Sequence, residues 1–155
     1  MRSGRRLAID VGKVRIGIAA SDQHSILASG IETVQRDSDL RTSINRIQEI
    51  IGEVQPIEIY IGFPISMQGQ STDSTRDAIE FAKALAGSSS IPIRLIDERM
   101  TTISAENSLK LSGRSSKSGR KVIDQIAATV ILEQAIESEK LTGSIPGLAL
   151  GEIDE

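Results

Sequence analysis

The order of apolar runs predicts an α/β fold: three strands in close succession, then helices and strands in alternation, forming one mixed sheet covered on both faces. Three observations carry this expectation. The apolar runs at 7–11, 15–21 and 26–36 follow one another too closely for intervening helices, as in an antiparallel meander. From Ser38 the apolar spacing changes to three and four residues, the helical period. Aromatic residues make up only 2% of the 155 residues, so the core is built from Ile, Leu, Val and Ala. That suits helices packed on a branched-aliphatic sheet better than a β-sandwich.

LAIDV (7–11) is the first strand, and the break at Gly12-Lys13 separates it from RIGIAAS (15–21). ILASGIETVQR (26–36) is a third strand with a Ser-Gly interruption. Leu40, Ile44, Ile47, Ile51 and Val54 form one face of an amphipathic helix that Gln55-Pro56 ends. IEIYIGF (57–63) is the fourth strand, and Pro64 and Gly69 bound an irregular loop. Asp73 or Ser74 can cap a second helix, with Ala78, Phe81, Ala82 and Leu85 as its buried face and GSSS (87–90) as its stop. IPIRLID (91–97) is the fifth strand. Thr101 or Thr102 can cap a short helix running to about Leu111. SGRSSKSGR (112–120), Ser/Gly-rich and without apolar residues, reads as a mobile loop. A last helix covers about Lys121 to Lys140. The expectation is a five-stranded sheet in a single domain over 1–140, with 141–155 as a flexible tail.

Composition excludes several classes of function. Hydrophobic residues are 39% and charged residues 25%, which suits a soluble globular protein. The absence of Cys rules out disulfides and thiolate metal sites, and His24 as the only histidine rules out a His-rich zinc site. No apolar run approaches the ~20 residues of a membrane span, and MRSGRR does not lead into a secretory signal, so a cytoplasmic protein is expected. Net charge is −3, but positive charge is concentrated. Lys110, Arg114, Lys117, Arg120 and Lys121 lie between Asn107 and Ile123 with no acid among them, and Arg2, Arg5 and Arg6 form a smaller cluster. Such a strip can bind a polyanion on an acidic protein.

Three acidic positions stand out. In LAIDVG, alternation places Asp10 with Ala8 on one face of the first strand, where a buried carboxylate is costly without a partner. It is either a turn-forming residue or a ligand for a hard divalent cation. Asp97 and Glu98 end the fifth strand, and as neighbours they point to opposite faces. At most one can join Asp10 while the strand stays regular, and Asp97 ranks ahead because it is still within the strand. Asp124 shares a helical face with Ala127, Ala128 and Ile131, so it sits on the stripe that packs against the sheet. The alternative for Asp124 is a first-turn acid favoured by the helix dipole. Carboxylates converging from a first strand, a last strand and a C-terminal helix can bind one or two Mg2+ ions, which activate water for phosphodiester cleavage.

IDVGKVRIGIAASD (9–22), YIGFP (60–64), IDERMTT (96–102) and KVIDQIAA (121–128), in this order and spacing, resemble the YqgF/RuvX family, described both as Holliday-junction resolvases and as pre-16S rRNA nucleases. The resemblance covers about Arg6 to Ile136. It implies an RNase H-like fold, a catalytic cluster of Asp10, Asp97, Glu98 and Asp124, and a metal site of Asp10, Asp97 and Asp124 for Mg2+, with Mn2+ as a substitute. Substrate contacts are expected from Lys13, Arg15, Arg99, Arg114, Lys117, Arg120 and Lys121. The chain departs from the family pattern at Lys13-Val14-Arg15, where a Thr-Lys-Arg run is usual, and at Ser66 and Gln68, where Asn and Asp are frequent. These changes bear on substrate contacts more than on metal binding. In related resolvases a catalytic acid follows the fourth strand. Gly62-Phe63-Pro64 supplies none, so the acids at 97 and 98 would fill that role.

The resemblance implies a metal-dependent nuclease acting on structured nucleic acid, with the 5′ end of pre-16S rRNA favoured in ribosome biogenesis. A Holliday junction resolvase and a non-catalytic rRNA-binding assembly factor are the alternatives. An ATPase of the actin–hexokinase type also opens with an Asp-x-Gly strand end, but it needs a duplicated domain for which 155 residues leave no room. Tyr60, Phe63 and Phe81 are the only aromatics, which limits base stacking and leaves recognition to phosphates and shape. Either a monomer or a homodimer is compatible with the chain.

Overall fold

The computed structural model describes residues 1–65, 69–98 and 116–152, with the side chains of 116–122 excepted. Six strands form one sheet: β1 (Arg6–Val11), β2 (Arg15–Ser21), β3 (Ala28–Gln35), β4 (Glu58–Phe63), β5 (Ile93–Asp97) and β6 (Leu148–Ala149). Three described helices cover it: α1 (Leu40–Val54), α2 (Asp73–Ala86) and α3 (Ser116–Thr142). The strand order is β3-β2-β1-β4-β5-β6. β1, β2 and β3 pair antiparallel as the expected meander, while β1, β4 and β5 run parallel through the helical crossovers.

Alternation along the strands divides the core into two layers. Leu7 and Ile9 of β1, Ile59 and Ile61 of β4 and Leu95 of β5 pack with Ile47 and Ile50 of α1 and Phe81 and Leu85 of α2. On the other face, Ala8, Ala19, Tyr60 and Ile96 meet Ala128, Ile131, Leu132 and Ala135 of α3. Small strand residues on this second face let α3 lie close to the sheet. All of these side chains are buried, and burying each large aliphatic one contributes roughly 1.5–3 kcal/mol.

Four expectations are corrected. The cap of α2 is Thr72, neither Asp73 nor Ser74: its hydroxyl accepts from Thr75 N, and the Thr75 hydroxyl accepts from Thr72 N. The last helix begins at Ser116, so 116–120 is helical backbone and not loop. Ser and Gly weaken a helix without forbidding it, and a stretch without apolar residues lacks a buried face, not the ability to form a helix. The sheet has a sixth strand, because Leu148–Ala149 pairs antiparallel with Arg94 and Leu95. Residues 146–149, within the stretch expected as a flexible tail, are therefore held to the sheet. The Arg94 guanidinium donates to the Pro146 and Gly147 carbonyls at 2.9 and 2.7 Å and fastens them. The short helix expected from Thr101 or Thr102 to Leu111 lies outside the described residues, as do Ser66 and Gln68.

Candidate active site

The C-terminal ends of the parallel strands β1, β4 and β5 form one edge of the sheet. Asp10 is the penultimate residue of β1 and pairs across the ladder with Gly17 of β2. A tight hairpin, closed by Gly12 N donating to Arg15 O at 3.0 Å, joins the two strands. Side-chain alternation puts Asp10 on the face of Ala8, beneath α3.

Glu98 reaches the same face from β5. Its N–H donates to the Phe63 carbonyl at 3.3 Å, which continues the parallel ladder one residue past the end of β5. The pleat therefore persists, Glu98 follows Ile96 onto the α3 face, and Asp97 follows Leu95 onto the opposite one. Gly62 makes the space: a Cβ there would lie 2.6 Å from Glu98 Oε1. The Gly-Phe-Pro segment after β4 thus lacks an acid of its own and leaves room for the acid of its neighbour.

Asp124 completes the set from above. It is on the third turn of α3, eight residues after Ser116, so the first-turn dipole account does not apply to it. Its carbonyl oxygen lies only 2.0 Å from where a Cβ on Gly17 would be, and the next residue, Gln125, donates to the Thr33 hydroxyl of β3 at 3.1 Å. These contacts fix the helix over the Asp10 strand pair. The Asp124 carboxylate accepts from Arg15 Nε at 2.7 Å, with side chains 15% and 27% exposed respectively.

The electrostatics follow from this crowding. Burial pushes the Glu98 carboxyl up to about 9, and the neighbouring Asp10 charge, its hydrogen bond to Asp10 and the charge of Asp97 add to the effect. Burial also raises Asp10; the hydrogen bond from Glu98 works against the rise and the Asp124 charge adds to it. Two ionised carboxylates in contact in a desolvated site repel, so the pair favours holding a proton.

Asp10, Glu98 and Asp124 are thus brought to one face, and Asp97, the expected partner of Asp10, raises the Glu98 carboxyl through its charge. Among the other expected site residues, Arg15 is at the cluster. Lys13 instead lines a cleft with Arg36, Arg76 and Asp77 beside the N-terminal ends of α1 and α2. Arg99 and Arg114 lie outside the described residues, as do the side chains of Lys117, Arg120 and Lys121. Sequence reading missed the parts played by Gly17 and Gly62. A glycine inside a strand is the available signal, since it marks close approach of another backbone or group.

The donor set fits a hard divalent cation: carboxylate oxygens from three rigid elements, two of them drawn together where only a shared proton or a cation relieves their repulsion. As they stand, no three His, Cys, Asp or Glu side chains among the described residues surround one metal position. Asp124 is engaged with Arg15 instead of the pair.

Comparisons with known proteins give the family and the fold. The model of the RuvX family, described as Holliday junction resolvase, matches residues 4–138. A protein of Clavibacter sepedonicus named "Putative pre-16S rRNA nuclease" is 47% identical over 147 residues, covering 95% of this chain and 91% of that one. One of the same name from Streptomyces coelicolor is 46% identical over 148 residues, covering 95% and 88%. Among solved structures, Thermus thermophilus RuvC in complex with a Holliday junction substrate superposes with a TM-score of 0.58 at 14% identity, over 92% of this chain and 99% of that one. A second RuvC structure from Thermus thermophilus gives 0.54 at 13% identity, over 88% and 96%. At these identities the RuvC likeness is one of fold: the six-stranded mixed sheet and its helices are RNase H-like.

Proposed function

The chain belongs to the RuvX family, and from that premise we propose that it is a divalent-cation-dependent nuclease that hydrolyses phosphodiester bonds in precursor 16S rRNA in the cytoplasm. The single observation that supports this most is the Asp10–Glu98 carboxyl pair, built on the sheet edge under α3 with Asp124 beside it. A stable fold has no use for two acids sharing one proton there, whereas a nuclease does. Asp10, Glu98 and Asp124 would hold one or two Mg2+ ions, with Mn2+ as a substitute. When bound, the cation supplies charge stabilisation at the phosphoryl oxygens and an activated water.

The rest of the chemistry belongs to the chain. Gly17 and Gly62 keep the three acids on one face by admitting α3 and Glu98. Arg15, half-buried at the rim, can take a phosphate with a guanidinium fork. Arg99, Arg114, Lys117, Arg120 and Lys121 supply phosphate contacts along the flanking strand. Changing Arg114, Lys117 and Arg120 together to Ala should lower the salt slope of RNA binding by about 0.7 per lost single-strand contact.

A second substrate, the four-way DNA junction, is favoured by the description of the family model. The deciding assay sets a precursor 16S rRNA fragment beside a four-way junction, each with Mg2+, Mn2+ or EDTA, using wild type and Asp10→Asn. Cleavage of the RNA by wild type only, and only with a cation, is the expected result. Preferential cutting of the junction would move the substrate to DNA. Undiminished cutting in EDTA or by Asp10→Asn would end the cation-dependent reading.

A further inference from the structure

Asp124 faces two demands at once. Its backbone is fixed, because its carbonyl lies against Gly17 of β2 and Gln125 is tied to Thr33 of β3. The Arg15 backbone is fixed too, by the Gly12–Arg15 hairpin bond and by pairing with Gln35. What remains free to move is the side-chain contact between them, Arg15 Nε to Asp124 Oδ2 at 2.7 Å. Among the described residues this is the one hydrogen bond that the Arg15 guanidinium makes, and it uses Nε. The contact holds Asp124 in an arrangement in which no three acids among the described residues share a metal position.

We propose that Arg15 is a latch on Asp124: it neutralises the third carboxylate and keeps it off the Asp10–Glu98 pair until a nucleic-acid phosphate draws the guanidinium away. The inference rests on the cation-dependent reading above and makes Arg15 a positioning residue as well as a phosphate contact. A phosphate offers the guanidinium two oxygens in a fork that matches Nε and an Nη, against the single bond it makes to Asp124. Release then requires only side-chain rotation, after which Asp124 completes the oxygen set with Asp10 and Glu98. Cation binding and phosphate binding become coupled, and such coupling is reciprocal. A nuclease built this way holds its cation weakly until substrate is in place.

Two binding measurements test the latch without cleavage. In the first, free Mn2+ is counted by its electron paramagnetic resonance signal, with no nucleic acid present. Arg15→Gln should bind Mn2+ about fivefold more tightly than wild type, close to the most that a partly exposed ion pair ordinarily contributes. Lys13→Gln removes the same charge from the same hairpin and should shift affinity less. Equal shifts, or no gain in Arg15→Gln, would overturn the latch. Asp10→Asn is the reference for the site itself: if it binds Mn2+ as wild type does, the cation site is wrong and the latch falls with it. Loss of binding in Asp10→Asn with no gain in Arg15→Gln overturns the latch alone.

In the second, binding of an unstructured RNA oligonucleotide is measured in EDTA. Asp124→Asn frees the guanidinium and should bind more tightly than wild type, and the gain should vanish in the Asp124→Asn/Arg15→Gln double variant. Additive effects in that cycle would show that the two residues act separately and would refute the proposal. Arg15→Lys keeps the charge without the fork, so it should recover less than half of the wild-type RNA affinity lost in Arg15→Gln. Full recovery would mean that charge alone is used.

Discussion

The carbonyl oxygen of Asp124 on α3 lies 2.0 Å from where a Cβ on Gly17 of β2 would be. Because Gly17 is also the ladder partner of Asp10, one missing side chain brings a helix acid and a strand acid together. The close approach of helix and sheet at this point is therefore part of the site and not only of the core.

Gly17→Ala should accordingly damage both stability and activity. The inserted methyl meets backbone, which cannot rotate aside, so the helix must lift at a cost of about 1–3 kcal/mol. Misplacing Asp124 by ~1 Å could lower cleavage about a hundredfold. Gly52→Ala serves as the comparison. Gly52 is within α1, and a methyl group added there would meet nothing within 4 Å, so the change should stabilise by roughly 0.5–1 kcal/mol and leave cleavage alone. Urea unfolding and single-turnover cleavage on both variants check the contrast.

Glu98 should give the metal-free protein a characteristic pH dependence. Its folded-state carboxyl is pushed up to about 9 by burial and by Asp10, well above the ordinary value in the unfolded chain. A group raised in this way contributes stability that is fully present below its unfolded value and is lost as pH rises through the folded one. Stability in EDTA should therefore fall across the window from about 4.5 to about 9, and Glu98→Gln should flatten the fall. The same variant should lose cleavage, whereas Asp97→Asn, on the opposite face of β5, should retain most of it. Urea unfolding at two pH values inside the window, in both variants, reads the slope. Parallel slopes in wild type and Glu98→Gln would rule out the shared proton.

Much of this arrangement was legible in the sequence. Period two placed Asp10 with Ala8, and period 3.6 placed Asp124 with Ala128 and Ile131, and both acids are on the face shared by sheet and α3. The choice between Asp97 and Glu98 was not legible. It depends on whether the pleat continues past the last residue of β5, and the hydrogen bond that continues it is accepted by the Phe63 carbonyl on another strand. The Arg15–Asp124 contact joins residues 109 apart in sequence, beyond the reach of any local pattern. The sixth strand is two residues long, too short to show an alternation. The early start of α3 was hidden because helical period is visible only where one face is apolar, and 116–120 has no apolar residue.

The opposite end of the sheet offers a test of stability without chemistry. Glu139 of α3 is 2% exposed and accepts from Arg2 at 2.5 Å and from the fully buried Arg6 at 3.0 Å. Burial alone would raise its carboxyl, but the hydrogen bonds from Arg2 and the charges of Arg6 and Arg2 hold it down at about 2. Its contribution is thus present above the ordinary carboxylate range and is lost as pH falls toward 2. Glu139→Ala leaves the Arg6 charge buried without that partner and should cost about 3–5 kcal/mol. Cleavage per folded molecule should not change, since none of these groups is near Asp10. Thermal unfolding followed by cleavage at a temperature where the variant is folded separates the two effects.

Asp124→Asn separates the helix from the site. Two terms oppose each other in the metal-free protein. The variant loses the ion pair with Arg15, which for partly exposed groups contributes about 0.2–1 kcal/mol, and it also removes the charge that raises Asp10. Melting temperature in EDTA should therefore change little. With saturating Mg2+, which outweighs the roughly fivefold hold of Arg15, the two proteins should diverge, because wild type gains stability from a cation that binds only the folded state, whereas the variant lacks one of the three carboxylates and should gain much less. Cleavage should be lost with it. A variant that melts well below wild type in EDTA, still gains stability from Mg2+ and still cuts would assign Asp124 to the packing of α3 alone. The cation would then have to be held by Asp10 and Glu98 without help from the helix.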